Sequence, residues 1–71
     1  MNAEELLKRY AAGEKDFTKA DLANVKLINA HLVGINLWGA NLEGANLAKA
    51  KLWGANLTGA NLINANLTRA N

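Results

Sequence analysis

From Phe17 onward, the chain places a large apolar side chain at every fifth residue: Phe17 itself, then a leucine at each step from Leu22 to Leu67. Two residues before each of these centres stands Lys15 in the first unit. In every later unit a small or apolar residue takes that place: Ala20, Val25, Ala30, Ile35, and then alanine at each step from Ala40 to Ala65. In an α-helix five residues advance the side-chain direction by about 140° net, which would spread the leucines around the whole cylinder. In a straight strand, whose period is two, an odd step puts alternate leucines on opposite faces. A chain that bends once every five residues keeps them together. Within each short straight piece the centre and the residue two before it share a face and point inward, and the other three residues point outward or turn the corner. The period alone allows three, four or five sides.

The corner chemistry agrees with this reading. Two residues after each centre, eight of eleven positions are Gly or Asn (Asn24, Asn29, Gly34, Gly39, Gly44, Gly54, Gly59 and Asn64); the others are Lys19, Lys49 and Arg69. Gly and Asn tolerate positive φ at little cost. The residue before the centre is Asp or Asn in most units, and two roles are open to it: bonding turn backbone in neighbouring coils, or standing in solvent. Coil stacked on coil at the usual strand spacing of ~4.8 Å satisfies the backbone, which makes the array a solenoid.

Residues 1–14 depart from the repeat. Asn2 is placed to cap a short helix, with Glu5 three residues on completing a capping box. Leu6, Leu7 and Tyr10 are expected on one helical face, and Gly13 supplies the stop. The helix is read as a lid over the first coil, with partner binding as the alternative.

Units such as Ala40-Asn41-Leu42-Glu43-Gly44 and Ala55-Asn56-Leu57-Thr58-Gly59 resemble the A(D/N)LXX pattern of the pentapeptide-repeat family. The resemblance covers residues 15–71 as eleven full repeats, with a twelfth begun at Ala70-Asn71. It implies an all-β solenoid: a right-handed quadrilateral β-helix with four repeats per coil and about three coils, behind the N-terminal α-helical cap of residues 1–14. Small members of this kind abound in cyanobacteria, so a bacterial source is implied as well.

Composition changes this picture little. The 71 residues include no Cys, which excludes disulfides and thiolate metal sites, and no Pro. About half the chain is Ala, Leu and Asn, but 51% hydrophobic against 20% charged residues argues for a folded domain. No apolar run approaches a membrane span, and the acidic N-terminus does not resemble a signal peptide, so a cytoplasmic location is the expectation. Nothing comparable to the helix closes the far end, where Leu62, Leu67 and Ala70 would present an open edge. Three explanations are open: end-to-end dimerisation, as in some members of the family, a natural chain that continues, or a fraying last coil. An oligomer is the expectation.

Candidate chemistry is sparse. His31 is the one histidine, and there is no Ser or Cys nucleophile. The glycines recur as corners and form no phosphate loop. No catalytic residue, metal or cofactor is expected, and the chain is read as a non-catalytic structural or protein-interaction module. Trp38 and Trp53 both follow a centre and should point outward, Trp53 stacked with Val33, as a candidate partner surface; simple covering of the coils is the plainer role. With four sides, Lys49 and Arg69 share a corner with Lys51 and His31 just around it, a candidate anion site. Residues 15–71 carry six Lys/Arg against three Asp/Glu. This disfavours the DNA-imitating, gyrase-directed function of the best-known branch of the family, and nucleic acid is not the expected partner.

Overall fold

A computed structural model describes residues 1–71. Its one regular element is helix α1 (Ala3–Ala11). Asn2 accepts the Glu5 amide at 2.8 Å on its side chain, as a helix N-cap does. The Glu5 carboxylate does not return the bond but pairs with Arg9 one turn on, so only half of the capping box forms. At the other end the Gly13 amide donates to the Tyr10 carbonyl and the Glu14 amide to the Arg9 carbonyl. These are the paired bonds of a Schellman stop, with Gly13 at φ +102°.

The remainder is a stack of short bends. In every unit the amide three residues after the centre donates to the centre's carbonyl, from Ala20 to Phe17 through Ala70 to Leu67. The residue two after each centre lies in the left-handed region in all eleven units, with φ between 60° and 74°. Glycine or asparagine meets that requirement cheaply; Lys19, Lys49 and Arg69 meet it at a cost.

Register is set between units. Parallel bridges join Asp16 to Asn36, Asp21 to Asn41, Lys26 to Asn46 and His31 to Lys51, and the same twenty-residue step repeats above them. Four five-residue units therefore complete one turn. The pairing consists of isolated bridges, not extended strands. Each straight piece is only two or three residues long before the next left-handed corner, too short for a ladder. Amides of the centre, of the residue before it and of the corner residue nevertheless bond the adjacent turn at 2.7–3.2 Å.

Fifteen buried residues form one core along the axis: Leu6, Phe17, and the leucines, alanines, Val25 and Ile35 that point inward as far as Leu52. Helix α1 contributes Leu6, fully buried, with Ala3 and Tyr10 packed beside it. Leu7 does not join them and is 39% exposed. One residue turns the helix by about 100°, so the buried stripe runs through positions 3, 6 and 10 and leaves 7 outside. Burial fades toward the far end. Leu57 and Leu62 are partly covered, and Leu67 is 38% exposed.

Candidate functional site

The residue before each centre decides what the outer surface offers. In eight units it is Asp or Asn, and its side-chain oxygen accepts the amide two residues on, within its own turn: Asn36 from Trp38 at 3.0 Å, Asn46 from Ala48 at 3.1 Å, Asn66 from Thr68 at 2.9 Å. Asp16 does the same for Thr18, taking both its amide and its hydroxyl. None of these eight side chains bonds the backbone of a neighbouring coil; one contact between coils is made side chain to side chain, from Asn41 Nδ2 to Asp21 Oδ1 at 3.4 Å. The short side chain reaches its own turn more readily than the next coil, so it closes an Asx turn.

Lys26 interrupts this pattern once on the third face, below Asn46 and Asn66. On the fourth face the interruption is double. There the residues before the centres are His31 and Lys51, joined by a bridge; Lys51 has no acceptor atom, and the His31 ring takes no amide in its turn. The Val33 and Trp53 amides make no hydrogen bond within the chain. Between these two columns lies a shallow pocket of about 240 Å³ lined by His31, Val33, Lys51, Trp53 and Asn71. Trp53 forms an open wall, 67% exposed, while Val33 is partly covered. Asn71 accepts the Leu52 amide on both its backbone and side-chain oxygens.

Helix α1 buttresses the N-terminal end of this face. The Tyr10 hydroxyl donates to the Val33 carbonyl at 2.6 Å, and its ring lies 6.2 Å from that of His31. Lys15 Nζ stands 4.4 Å from the Tyr10 ring centroid and donates to the same carbonyl. Lys49 and Arg69 occupy the preceding corner of successive turns, where the Lys49 amide donates to the Thr68 carbonyl. Asp16, Asp21 and Glu43 all lie on the first two faces. The charge of the solenoid is thus lopsided, with its basic side next to the pocket.

The other sequence-derived candidates fall elsewhere. Trp38 is 42% exposed on the first face, with Lys19 Nζ 5.5 Å from its ring centroid. It does not line the pocket that holds Trp53 and Val33. Leu62, Leu67 and Ala70 lie at the thinly covered end of the core. No three His, Asp or Glu side chains gather as a metal-binding group. A hydrogen bond from Arg9 holds the Glu14 carboxyl below its usual value of 4.5, and Thr18 holds Asp16 below 3.8. Pairing with Glu14 raises Arg9. No helix is long and apolar enough to cross a membrane. The pocket and its two free amides were not anticipated from the sequence, although the interruption of the Asn column at positions 31 and 51 was their visible signal.

The pentapeptide-repeat sequence profile matches in eight copies over residues 13–39, 20–52 and 40–71. Solved structures of similar fold include two from cyanobacteria. The pentapeptide repeat protein Rfr23 from the cyanobacterium Cyanothece 51142 shows 49% identity and a TM-score of 0.76 over 78% of this chain. The pentapeptide repeat protein alr5209 from Nostoc Pcc 7120 shows 34% identity and a TM-score of 0.58 over 97% of this chain and 74% of its own. The chain spans 37% of the Rfr23 chain. No curated protein matches the sequence. With the five-residue period, the left-handed corner in every unit and the profile match in hand, the chain belongs to the pentapeptide-repeat family.

Proposed function

We propose that this chain is a non-catalytic interaction module: a right-handed quadrilateral β-helix of about three coils, closed at one end by α1, that holds side chains rigidly for a protein partner. The observation that carries the reading is Trp53, two-thirds exposed on a face whose backbone is held by the neighbouring turns. A rigid, exposed aromatic beside cations is the composition of an interface anchor. Repeat folds use their lateral surfaces in this way. A DNA-imitating role is disfavoured, because a DNA-like surface would be acidic and the solenoid carries twice as many cations as carboxylates.

The test immobilises the protein, a Trp53→Ala variant and an Ile28→Ala variant, and exposes each to a cyanobacterial lysate. Ile28 is also open to solvent (50% exposed) but lies on another face. Polypeptides retained by the parent and by Ile28→Ala but lost with Trp53→Ala support the module. Equal retention by all three refutes it. A second reading, self-association, is favoured by the exposed Leu67 beside Leu62 and Ala70. Sedimentation at high micromolar concentration is expected to show a dimer that Leu67→Asp dissociates, and a monomer of the parent chain removes that reading.

A further inference from the structure

We propose that the pocket on the fourth face recognises an acidic peptide segment, whose carboxylate completes the Asx turns that His31 and Lys51 leave open. The inference rests on the interaction-module reading above and supplies the chemistry of its partner.

The argument begins with what the other turns do. In eight units the amide following the centre is held by an Asp or Asn oxygen of the same turn; Asp16 and Asp21 show that a carboxylate serves as well as an amide. On the fourth face two successive turns lack that oxygen, so the Val33 and Trp53 amides, one coil apart, have no partner within the chain. Both residues line the same pocket. Two N–H groups one coil apart, about 4.8 Å at coil spacing, form a donor pair suited to an incoming carboxylate, in the manner of backbone anion sites.

Charge selects the sign of the occupant. Lys51 takes the place of the missing Asn and stands on the pocket wall beside His31. Lys49 and Arg69 flank it at the preceding corner, and no Asp or Glu lines the pocket. Hydrogen bonds from a cation and from backbone amides to a carboxylate are the stronger kind. Trp53 and Val33 supply the rest: an apolar wall for an aromatic or aliphatic side chain next to the acidic one. A pocket of about 240 Å³ suits one such side chain, not a cofactor. The Val33 carbonyl is already held by Tyr10 and Lys15, so it does not present a free acceptor to the occupant.

The experiment follows Trp53 emission in a Trp38→Phe background while titrating acetyl-Phe-Asp-Phe-Asp-amide, its Asn-for-Asp analogue, and a ten-residue thymidine oligonucleotide. The acidic peptide is expected to bind at least about tenfold more tightly than the amide analogue. Lys51→Asn, which supplies an internal oxygen to the Trp53 amide and removes the cation, is expected to weaken the acidic peptide about tenfold while leaving circular dichroism unchanged. Equal binding of the two peptides, or undiminished binding by Lys51→Asn, overturns the proposal. Tighter binding of the oligonucleotide than of the peptide overturns it in favour of a nucleic-acid ligand. If lysate retention depends on Trp53 while the peptides bind equally, the interaction module stands and the acidic partner falls; if neither depends on Trp53, both fall.

Discussion

Replacing Lys51 by asparagine should make this protein more stable. The Trp53 amide lacks a partner within the chain, whereas the equivalent amides of Trp38, Ala48 and Thr58 are each held by an Asn two residues earlier at 3.0–3.1 Å. The introduced side chain would find the same turn geometry, because position 51 sits in the same bridge pattern as positions 36, 46 and 56. A net intramolecular hydrogen bond contributes about 0.5–1.5 kcal/mol, and a bond to a solvent-facing amide belongs in the lower half of that range. In a domain of this size about 1 kcal/mol moves Tm by 4–8 °C, so Lys51→Asn should raise Tm by roughly 2–8 °C. The reciprocal change, Asn46→Ala, removes such a bond and should lower Tm by a similar amount. Thermal unfolding followed by far-ultraviolet circular dichroism, at constant protein concentration, measures both. A Lys51→Asn variant with unchanged or lower Tm, alongside a destabilised Asn46→Ala, would show that the fourth-face turn is not built like the others. The explanation of the free amides would then be wrong. A rise in stability coupled to loss of peptide binding is the usual sign of a residue kept for function at a cost in folding free energy.

Three further outcomes follow from the geometry. Leu42→Ala, at a fully buried centre, should cost about 3–4 kcal/mol in urea unfolding, and Leu67→Ala, 38% exposed, less than about 1 kcal/mol; equal costs would contradict the one-sided burial of the core. Gly59→Ala should cost about 1 kcal/mol through backbone conformation alone, since φ is +72° and an added Cβ meets only ordinary contacts at 3.9 Å; a neutral result would refute the left-handed corner. Glu14 and Asp16 titrate below their ordinary values of 4.5 and 3.8 in the folded chain, so their ionised forms favour folding. That stabilisation is present in full above the ordinary values and is lost as pH falls through the depressed ones. Tm should therefore drop below about pH 4, and the Glu14→Gln variant should show a shallower drop.

The five-residue step was legible because it is written locally. Each unit carries its own inward leucine, its own small residue and its own left-handed corner, so the period and the choice of Gly or Asn at the bends follow from one turn's geometry. Helix α1 was legible for the same reason, through Asn2 and Gly13, although the 100° step of the helix set Leu7 aside from the face it was expected to share with Leu6. The return after twenty residues was not local. It depends on how far each corner turns the chain and on which leucines then meet across the axis, and no single unit contains that information. The same distance in sequence hid the pocket. That His31 and Lys51 interrupt the Asn column was visible from the start, but their meaning depends on the register that stacks Val33 with Trp53, on the Asx bonds that fill the other faces, and on Tyr10 arriving from α1 to hold the Val33 carbonyl. Sequence thus determined what each turn is, and tertiary structure decided which turns stand together and which of their amides are left free.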